Sequence, residues 1–289
     1  MDTIGQGAEI EPNNEDQNVI TRYQNQYIES MRQESLDDVR LAMREVFGCH
    51  ISDNEFEALF SLSAHSITHD YALSTNKAVF AFSKVRAPAL EFVSVLYRSN
   101  HPIGTVHITF VKEKDGIKLE IRHRHLAAEH QGQGIGIDLE WRLQNFCRKY
   151  GISAMYNEAK TMESYRGAYV WALYGYEFAD PQDCDVLYKQ IKYYALTHRI
   201  RFLHDPRHFN RPIHFARAKG IDADGEEVPI GKMFLTDTRG VSWLGRRDVA
   251  LDSEGVRDFI EYAKTRGRND ILDEYTHFLS TLSHNAMEP

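Results

Sequence analysis

The stretch "HQGQGIGIDLEW" (130–141) places Gly132, Gly134 and Gly136 at alternate positions, directly ahead of an amphipathic run. Backbone N–H groups in the first turn of a helix lack partners within the helix, and the helix dipole favours negative charge there. Glycine removes the Cβ that would hold a phosphate away from those groups. These residue types suit a pyrophosphate cradle; the plain alternative is a tight turn. Two common nucleotide motifs do not fit. The dinucleotide fingerprint needs G-x-G-x-x-G between parallel strands, but the spacing here is G-x-G-x-G and the preceding segments read as an antiparallel meander. The phosphate-loop motif needs Lys and Ser/Thr after its last glycine, and Ile137 and Asp138 stand there instead.

The elements around the loop are legible to different degrees. Ser35 is placed to cap a helix carrying Leu36, Val39, Met43 and Val46, with Gly48 ending it. A second helix follows from Ser52 with Phe56, Leu59 and Phe60 on one face, and residues 64–77 are ambiguous. "LEFVSVLYR" (90–98), "IGTVHITFV" (103–111) and "IKLEIRHRHL" (117–126) read as three strands joined by "SNHP" and by "KEKDG", the latter holding the hairpin signal Asp115-Gly116. After the glycine loop come a helix to about Gly151, a strand "ISAMYN" (152–157), a helix over 162–174 and "GYEF" (175–178), which opens another strand. Residues 184–203 and 254–283 read as helical, "DADGEEVPIG" (222–231) as a loop and "KMFLT" as a possible strand. Residues 1–34, rich in Asn, Gln, Glu and Asp, read as a mobile tail that turns helical near its end.

Composition narrows the function classes. With 34 Lys+Arg against 42 Asp+Glu, the 289-residue chain has a net charge of −8, and 42% of its residues are hydrophobic. The acidic balance argues against general nucleic-acid binding. Three cysteines (Cys49, Cys147, Cys184) without close spacing argue against a disulfide framework. No secretory signal and no apolar run of about 18 residues is evident. A cytoplasmic protein without a membrane partner is expected.

The loop and its surroundings resemble the GNAT superfamily of acyl-CoA-dependent N-acyltransferases over about residues 36–180. The motif of that family, Gln/Arg-x-x-Gly-x-Gly/Ala between a strand and a helix, is matched by Gln131, Gly134 and Gly136. Two helices and a meander precede it, and "GYEF" resembles the closing Gly-Phe or Gly-Tyr. The resemblance implies an α+β (mixed α/β) fold, a mostly antiparallel splayed sheet flanked by helices, here with a C-terminal α/β extension. It divides the chain into the tail (1–34), a GNAT-like core (35–195) and an extension (196–289) that completes the core or is appended to it. It also implies acetyl-CoA as co-substrate, with its pyrophosphate on Gln131, Gly132, Gln133, Gly134, Ile135 and Gly136. Leu126 is at the position whose backbone contacts the pantetheine arm. Asn157 either contacts that arm or caps the next helix. No metal is implied.

The reaction implied is N-acetyl transfer by direct attack of a deprotonated amine on the thioester, an EC 2.3.1 type of chemistry, with the amine on a protein or a small molecule. For the base, Glu120 occupies the place of the catalytic Glu in the histone-modifying branch, and burial in "IKLEI" would raise its pKa. Its bland reading is an outward residue paired with Lys118 or Arg122. His123 and His125, on one strand face, are rivals, because an unperturbed imidazole titrates near neutral pH. Counting back from Gly175 places Trp171 where the family often has a Tyr acid, so Tyr169 and Tyr174 become the candidates. This departure supports a rival reading, a non-catalytic GNAT-like module that binds acyl-CoA or a protein.

Residues 198–219 carry six Lys/Arg and one Asp, a local charge of +5, with His198, His204, His208 and His214. An acidic partner, RNA, a phosphate ligand or a metal are the functional readings. The histidine spacing does not suit a compact metal site, and a solvated face is preferred. "TRGVSWLGRRD" (238–248) reads as a groove lining or an ordinary turn.

Overall fold

The computed structural model describes residues 14–76, 87–162 and 165–285. Helix α1 (Asn14–Arg22) continues through a π-helical stretch (Tyr23–Ile28) into α2 (Glu29–Met31). These residues do not form a mobile tail. Ile20, Ile28 and Met31 are buried against Ala72, Val93 and Val95 of the sheet. The Glu34 carboxylate accepts hydrogen bonds from Ser74 Oγ at 2.6 Å and the Thr75 N–H at 2.7 Å. Residues 1–13 of the expected tail lie outside the described residues.

Helices α3 (Leu36–Phe47) and α4 (Asp53–Phe60) start where expected. Ser35 caps the first, which ends at Gly48 in the left-handed conformation, and Ser52 with Glu55 forms a capping box on the second. Val39, Met43 and Val46 are buried, as are Phe56, Leu59 and Phe60, whereas Leu36 is exposed.

The meander has four strands: β1 (Ile67–Asn76), β2 (Ala89–Arg98), β3 (His101–Glu113) and β4 (Gly116–Leu126). Within the ambiguous stretch 64–77, residues 67–76 are strand. Helix α5 (Ile135–Lys149) follows the glycine loop, then β5 (Ile152–Met162), β6 (Tyr165–Arg166), α6 (Gly167–Leu173) and β7 (Glu177–Phe178). The main sheet runs β1-β2-β3-β4-β5-β11-β7, with β6 on β5, and every neighbour is antiparallel except β4 and β5.

That one parallel pair creates the opening that matters. β4 and β5 pair only from Ile117↔Ile152 to Ile121↔Asn157. Beyond that point β4 stays with β3 to Leu126, while β5 stays with β11 to Lys160. The two strands part, and among the described residues the edge of β4 over 122–126 has no strand on the β5 side.

Strand β11 (Ser242–Asp248) completes the sheet between β5 and β7. It lies in "VSWLGRRD", so that stretch is neither a turn nor a free groove wall. The "KMFLT" stretch is not a strand but part of helix α9 (Ile230–Asp237), which buries Phe234 and Leu235. Residues 179–241 are thus inserted between the last two sheet strands. They contain α7 (Pro181–Thr197), β8 (Arg201–Phe202), α8 (Pro212–Ala216), β9 (Gly220–Ile221), β10 (Glu227–Val228) and α9, with β8 to β10 forming a small second sheet. After β11, α10 (Glu254–Thr265) and α11 (Asn269–Asn285) pack over α5 and α6. There Trp141 meets Phe259 and Phe278, and Tyr174 meets Phe259 and Tyr262. The entry of α10 needs close backbone contact: a Cβ on Gly175 would lie 2.0 Å from the Gly255 carbonyl oxygen.

Among the described residues, no helix is long and apolar enough to cross a membrane.

Candidate active site

The parted strands open onto a cleft of about 370 Å³. One wall is Arg124, His125 and Leu126 at the free edge of β4, continued by Gln131, Gly132, Gly134 and Gly136 of the loop. The other is α6, with Tyr169, Val170, Trp171 and Tyr174. Lys232 of α9, Tyr262 of α10 and Arg266, the residue after α10, complete the lining.

The loop has the backbone an anion site needs. Gly134 is the residue before α5 and has φ +85°, a left-handed value that a side chain would strain. Gly136 lies under the Tyr174 hydroxyl, which a Cβ would approach to 2.8 Å. Gln131 turns its amide back to the Leu126 carbonyl at 2.8 Å, and Gln133 donates to the Glu129 carbonyl at 2.7 Å. Both side chains therefore brace the loop onto the strand end. Ile135 is buried as the first residue of α5 and anchors it. Asp138, an acid in the first turn, would repel a phosphate, but it is tied to His65 at 2.6 Å and to Arg268. Arg266 donates to the Gly132 carbonyl at 3.2 Å. Neither Lys232 nor Arg266 has a carboxylate partner among the described residues, so both charges are free to meet an anion in the cleft.

On the base candidates, the structure shows a parity that the sequence hides. Residues 120 and 123 would fall on opposite faces of a regular strand. In β4 the pairing jumps from His107↔His123 to Ile108↔Ile121, so Arg122 is a bulged extra residue. The bulge brings Glu120, His123 and His125 onto one face. Glu120 is 5% exposed and pairs with Arg122 at 3.1 Å. His123 stacks on Tyr23 with ring centroids 4.6 Å apart and hydrogen-bonds Thr105 Oγ1 at 3.1 Å. Burial, and next to it the neighbouring His125, pull its pKa down to about 3. An imidazole so disfavoured as a cation is a poor proton acceptor. Of the three, only His125 lines the cleft.

The acid candidates fare differently. Tyr174 is buried, and burial raises its pKa well above that of a free phenol. Burial also raises Tyr169, which stands by Tyr262. Trp171, at the position of the family's Tyr, is buried and carries the Arg124 guanidinium 4.3 Å above its ring.

Asn157 is not a helix cap, because β5 runs five residues past it to Met162. It sits at the last β4–β5 pair, wholly buried, and neither end of its amide has a hydrogen-bond partner among the described residues. A Cβ on its neighbour Gly245 would lie 2.2 Å from Asn157 Oδ1. The cleft residues missed from sequence are Arg124, Lys232, Thr236, Tyr262 and Arg266. For Arg124 there was a signal: in "IRHRHL" it is a cation on the opposite strand face from the two histidines. The other four come from the insertion and the extension, and no local pattern marks them.

The basic stretch 198–219 is mostly paired within the fold. Arg211 meets Glu177, Glu254 and Asp258 at 2.5–3.0 Å, Arg207 meets Asp205, Arg217 meets Glu261, and Lys219 meets Glu227. Among the described residues, no three His, Cys, Asp or Glu side chains are grouped to hold a metal.

Residues 55–174 match the model of the acetyltransferase (GNAT) family. No curated protein matches the chain. Among solved structures, Arabidopsis thaliana Naa50 in complex with the bisubstrate analogue CoA-Ac-MVNAL aligns at 16% identity over 52% of this chain and 81% of that one, with a TM-score of 0.28. A GNAT family acetyltransferase from Elizabethkingia anophelis with acetyl-CoA bound aligns at 14% identity over 63% and 98%, with a TM-score of 0.29. Nourseothricin acetyltransferase aligns at 14% identity over 69% and 96%, also at 0.29.

Proposed function

We propose that the protein, whose residues 55–174 match the acetyltransferase (GNAT) family model, moves an acetyl group from acetyl-CoA to an amine by direct attack of the deprotonated amine on the thioester. The carrying observation is the cleft itself. A glycine loop opens a helix at one end of it, Lys232 and Arg266 line it without acidic partners among the described residues, and the free edge of β4 leads inward from the loop. These features fit a pyrophosphate at the mouth and an extended amide-containing arm along the strand edge. The orphan amide of Asn157 at the apex is a further polar group for such an arm. Holding amine and thioester together supplies much of the rate.

His125 is the proposed base, since it lines the cleft; Glu120, on the same face, is placed to pass the proton on through water. The acceptor is an amine of a small molecule or a protein, in a cytoplasmic setting. Nucleic acid is disfavoured, since four of the six cations of 198–219 already have acidic partners.

Thermal unfolding with acetyl-CoA tests the reading. A ligand at 100 times its Kd adds about 2.7 kcal/mol, which is a rise of several degrees for a chain of this size. Lys232→Glu and Arg266→Glu should shrink that rise. They are cleaner controls than a Gly134 substitution, which strains the backbone by itself. No rise at millimolar acetyl-CoA would end the proposal. A rise with no release of CoA across an amine screen would favour the non-catalytic acyl-CoA-binding module, for which Trp171 and the weakly acidic Tyr174 speak.

A further inference from the structure

Between β4, α5, α6 and β11 lies a buried ionic cluster that the scheme above does not use. Glu140 of α5 is fully buried. It accepts from Arg124 of β4 at 2.7 Å, from Arg247 of β11 at 2.7 Å and from the Tyr176 hydroxyl at 3.0 Å. Arg247 also donates to the Tyr174 carbonyl at 2.6 Å and to the Gln144 side chain at 3.2 Å. Among the described residues, no second carboxylate is within ion-pair distance of either arginine. Two guanidiniums therefore face one carboxylate, and 2 − 1 leaves one positive charge unmatched. Burying an unmatched charge is costly, so the excess marks a place where an anion is to be met.

The cluster presents that charge in one direction. Arg247 is enclosed under Tyr176 and Phe259. Arg124 is the member that lines the cleft, held flat on Trp171 at 4.3 Å and beside Tyr174 at 5.3 Å. The other groups facing this end are the phenol of Tyr174 and the imidazole of His125, and neither is an anion. Arg266 stands by the loop that suits phosphate, where it donates to the Gly132 carbonyl. Arg124 is thus the inner cation of the cleft, two residues along β4 from Leu126, a distance of about 7 Å.

Acyl transfer creates an anion deep in the cleft. As the amine nitrogen bonds to the carbonyl carbon, the carbon–sulfur bond breaks and its electron pair goes to sulfur, while the proton of the amine goes to the base. The residues in the place of a tyrosine acid are poor proton donors: Trp171 has no proton to give, and burial weakens Tyr174 as an acid. Resting on the acyl-CoA reading, we propose that Arg124 carries the leaving CoA thiolate as an ion pair, so that charge stabilisation replaces protonation by a tyrosine. Solvent protonates the thiolate after release. Glu140 and Arg247 are positioning residues, which fix the guanidinium on Trp171.

The thiol of bound CoA reports this directly. The complex of the protein with CoA is titrated by thiolate ultraviolet absorbance, and the complex with desulfo-CoA is subtracted to remove Cys49, Cys147 and Cys184. In the wild type the bound thiol should ionise about one pH unit or more below free CoA, at least a tenfold shift. Glu140→Gln removes the carboxylate that pairs with both guanidiniums and should lower it further. Arg124→Gln should return it to the value of free CoA, with circular dichroism confirming the fold. Should Arg124→Gln fail to fold, the wild type alone decides. A bound thiol ionising at or above the pH of free CoA overturns the proposal. Failure of CoA to bind the wild type at all is a different result, and it removes the acyl-CoA reading instead.

Discussion

The two faces of β4 are built on opposite plans. On the side of α5, Arg124 and Leu126 border an open, cationic cleft whose polar groups are held by buried ion pairs. On the other side, His123 lies under Tyr23 of the N-terminal helical stretch and His107 lies beside Tyr27, while His125, farther along that face, reaches the cleft. One face is shaped to receive a charged ligand. The other is dry enough to hold His123 neutral. A single bulged residue, Arg122, decides which side chains belong to which face. The contrast teaches that the strand works as a partition: charge is managed by buried pairing on the cofactor side and, around His107 and His123, by exclusion on the other.

Breaking the partition should cost most on the paired side. Glu140→Ala leaves Arg124 and Arg247 buried without their carboxylate and frees the Tyr176 hydroxyl. A loss of about 3–5 kcal/mol is expected from such an uncompensated buried charge, read as a fall in the denaturant midpoint at unchanged m-value. Tyr23→Ala, on the excluded side, removes ring stacking worth about 1 kcal/mol per pair. If the two variants were equally damaging, the contrast between the faces would be lost. Chemistry should follow next in size. His125→Gln should lower kcat by about 100-fold or more, the usual worth of a general base, with acetyl-CoA affinity little changed. Glu120→Gln should act less, and should alter the pH–rate profile if it relays the proton.

The legible parts were those in which local chemistry sufficed. Ser35, Gly48 and Ser52 marked their helix ends because capping is a matter of one turn, and Asp115-Gly116 marked its hairpin. The glycine loop was legible because it needs no distant residue to bend. The main errors shared a cause. "KMFLT" has strand composition, but Phe234 and Leu235 find their burial as one face of α9 in the insertion. "VSWLGRRD" looked like a turn because its cations obscure a strand, yet Arg247 enters the core through Glu140. The bulge at Arg122 has no sequence mark, so the face of Glu120 could not be told. Lys232 and Arg266 reach the cleft only through the tertiary path of the insertion and of α10.

The excluded face makes a prediction of its own. Burial, then Arg122, lowers the pKa of His107 to about 4, and His123 is held at about 3. Both lie below the unfolded value of about 6.5. The unfolded chain therefore takes up protons that the native chain refuses, and stability falls as pH drops through the window from about 6.5 towards 3. At pH 5 the loss is about 2 kcal/mol for each imidazole relative to pH 7. Unfolding midpoints at the two pH values should differ accordingly, and His123→Phe should remove roughly half of the difference.

The smallest effect concerns the basic stretch. Arg199 and Arg201 are its exposed members without an acidic partner among the described residues, while Arg211, with three, clamps the insertion to α10. Arg199→Ala and Arg201→Ala should change stability by no more than about 0.5 kcal/mol, as for surface positions generally. Acetyl-CoA turnover should not change, because neither residue lines the cleft. Arg211→Ala should lower the melting temperature clearly, since it leaves Asp258 with no cation in a largely buried setting. A loss of turnover in Arg201→Ala at unchanged stability would assign the stretch to the acceptor and make it more than a seam.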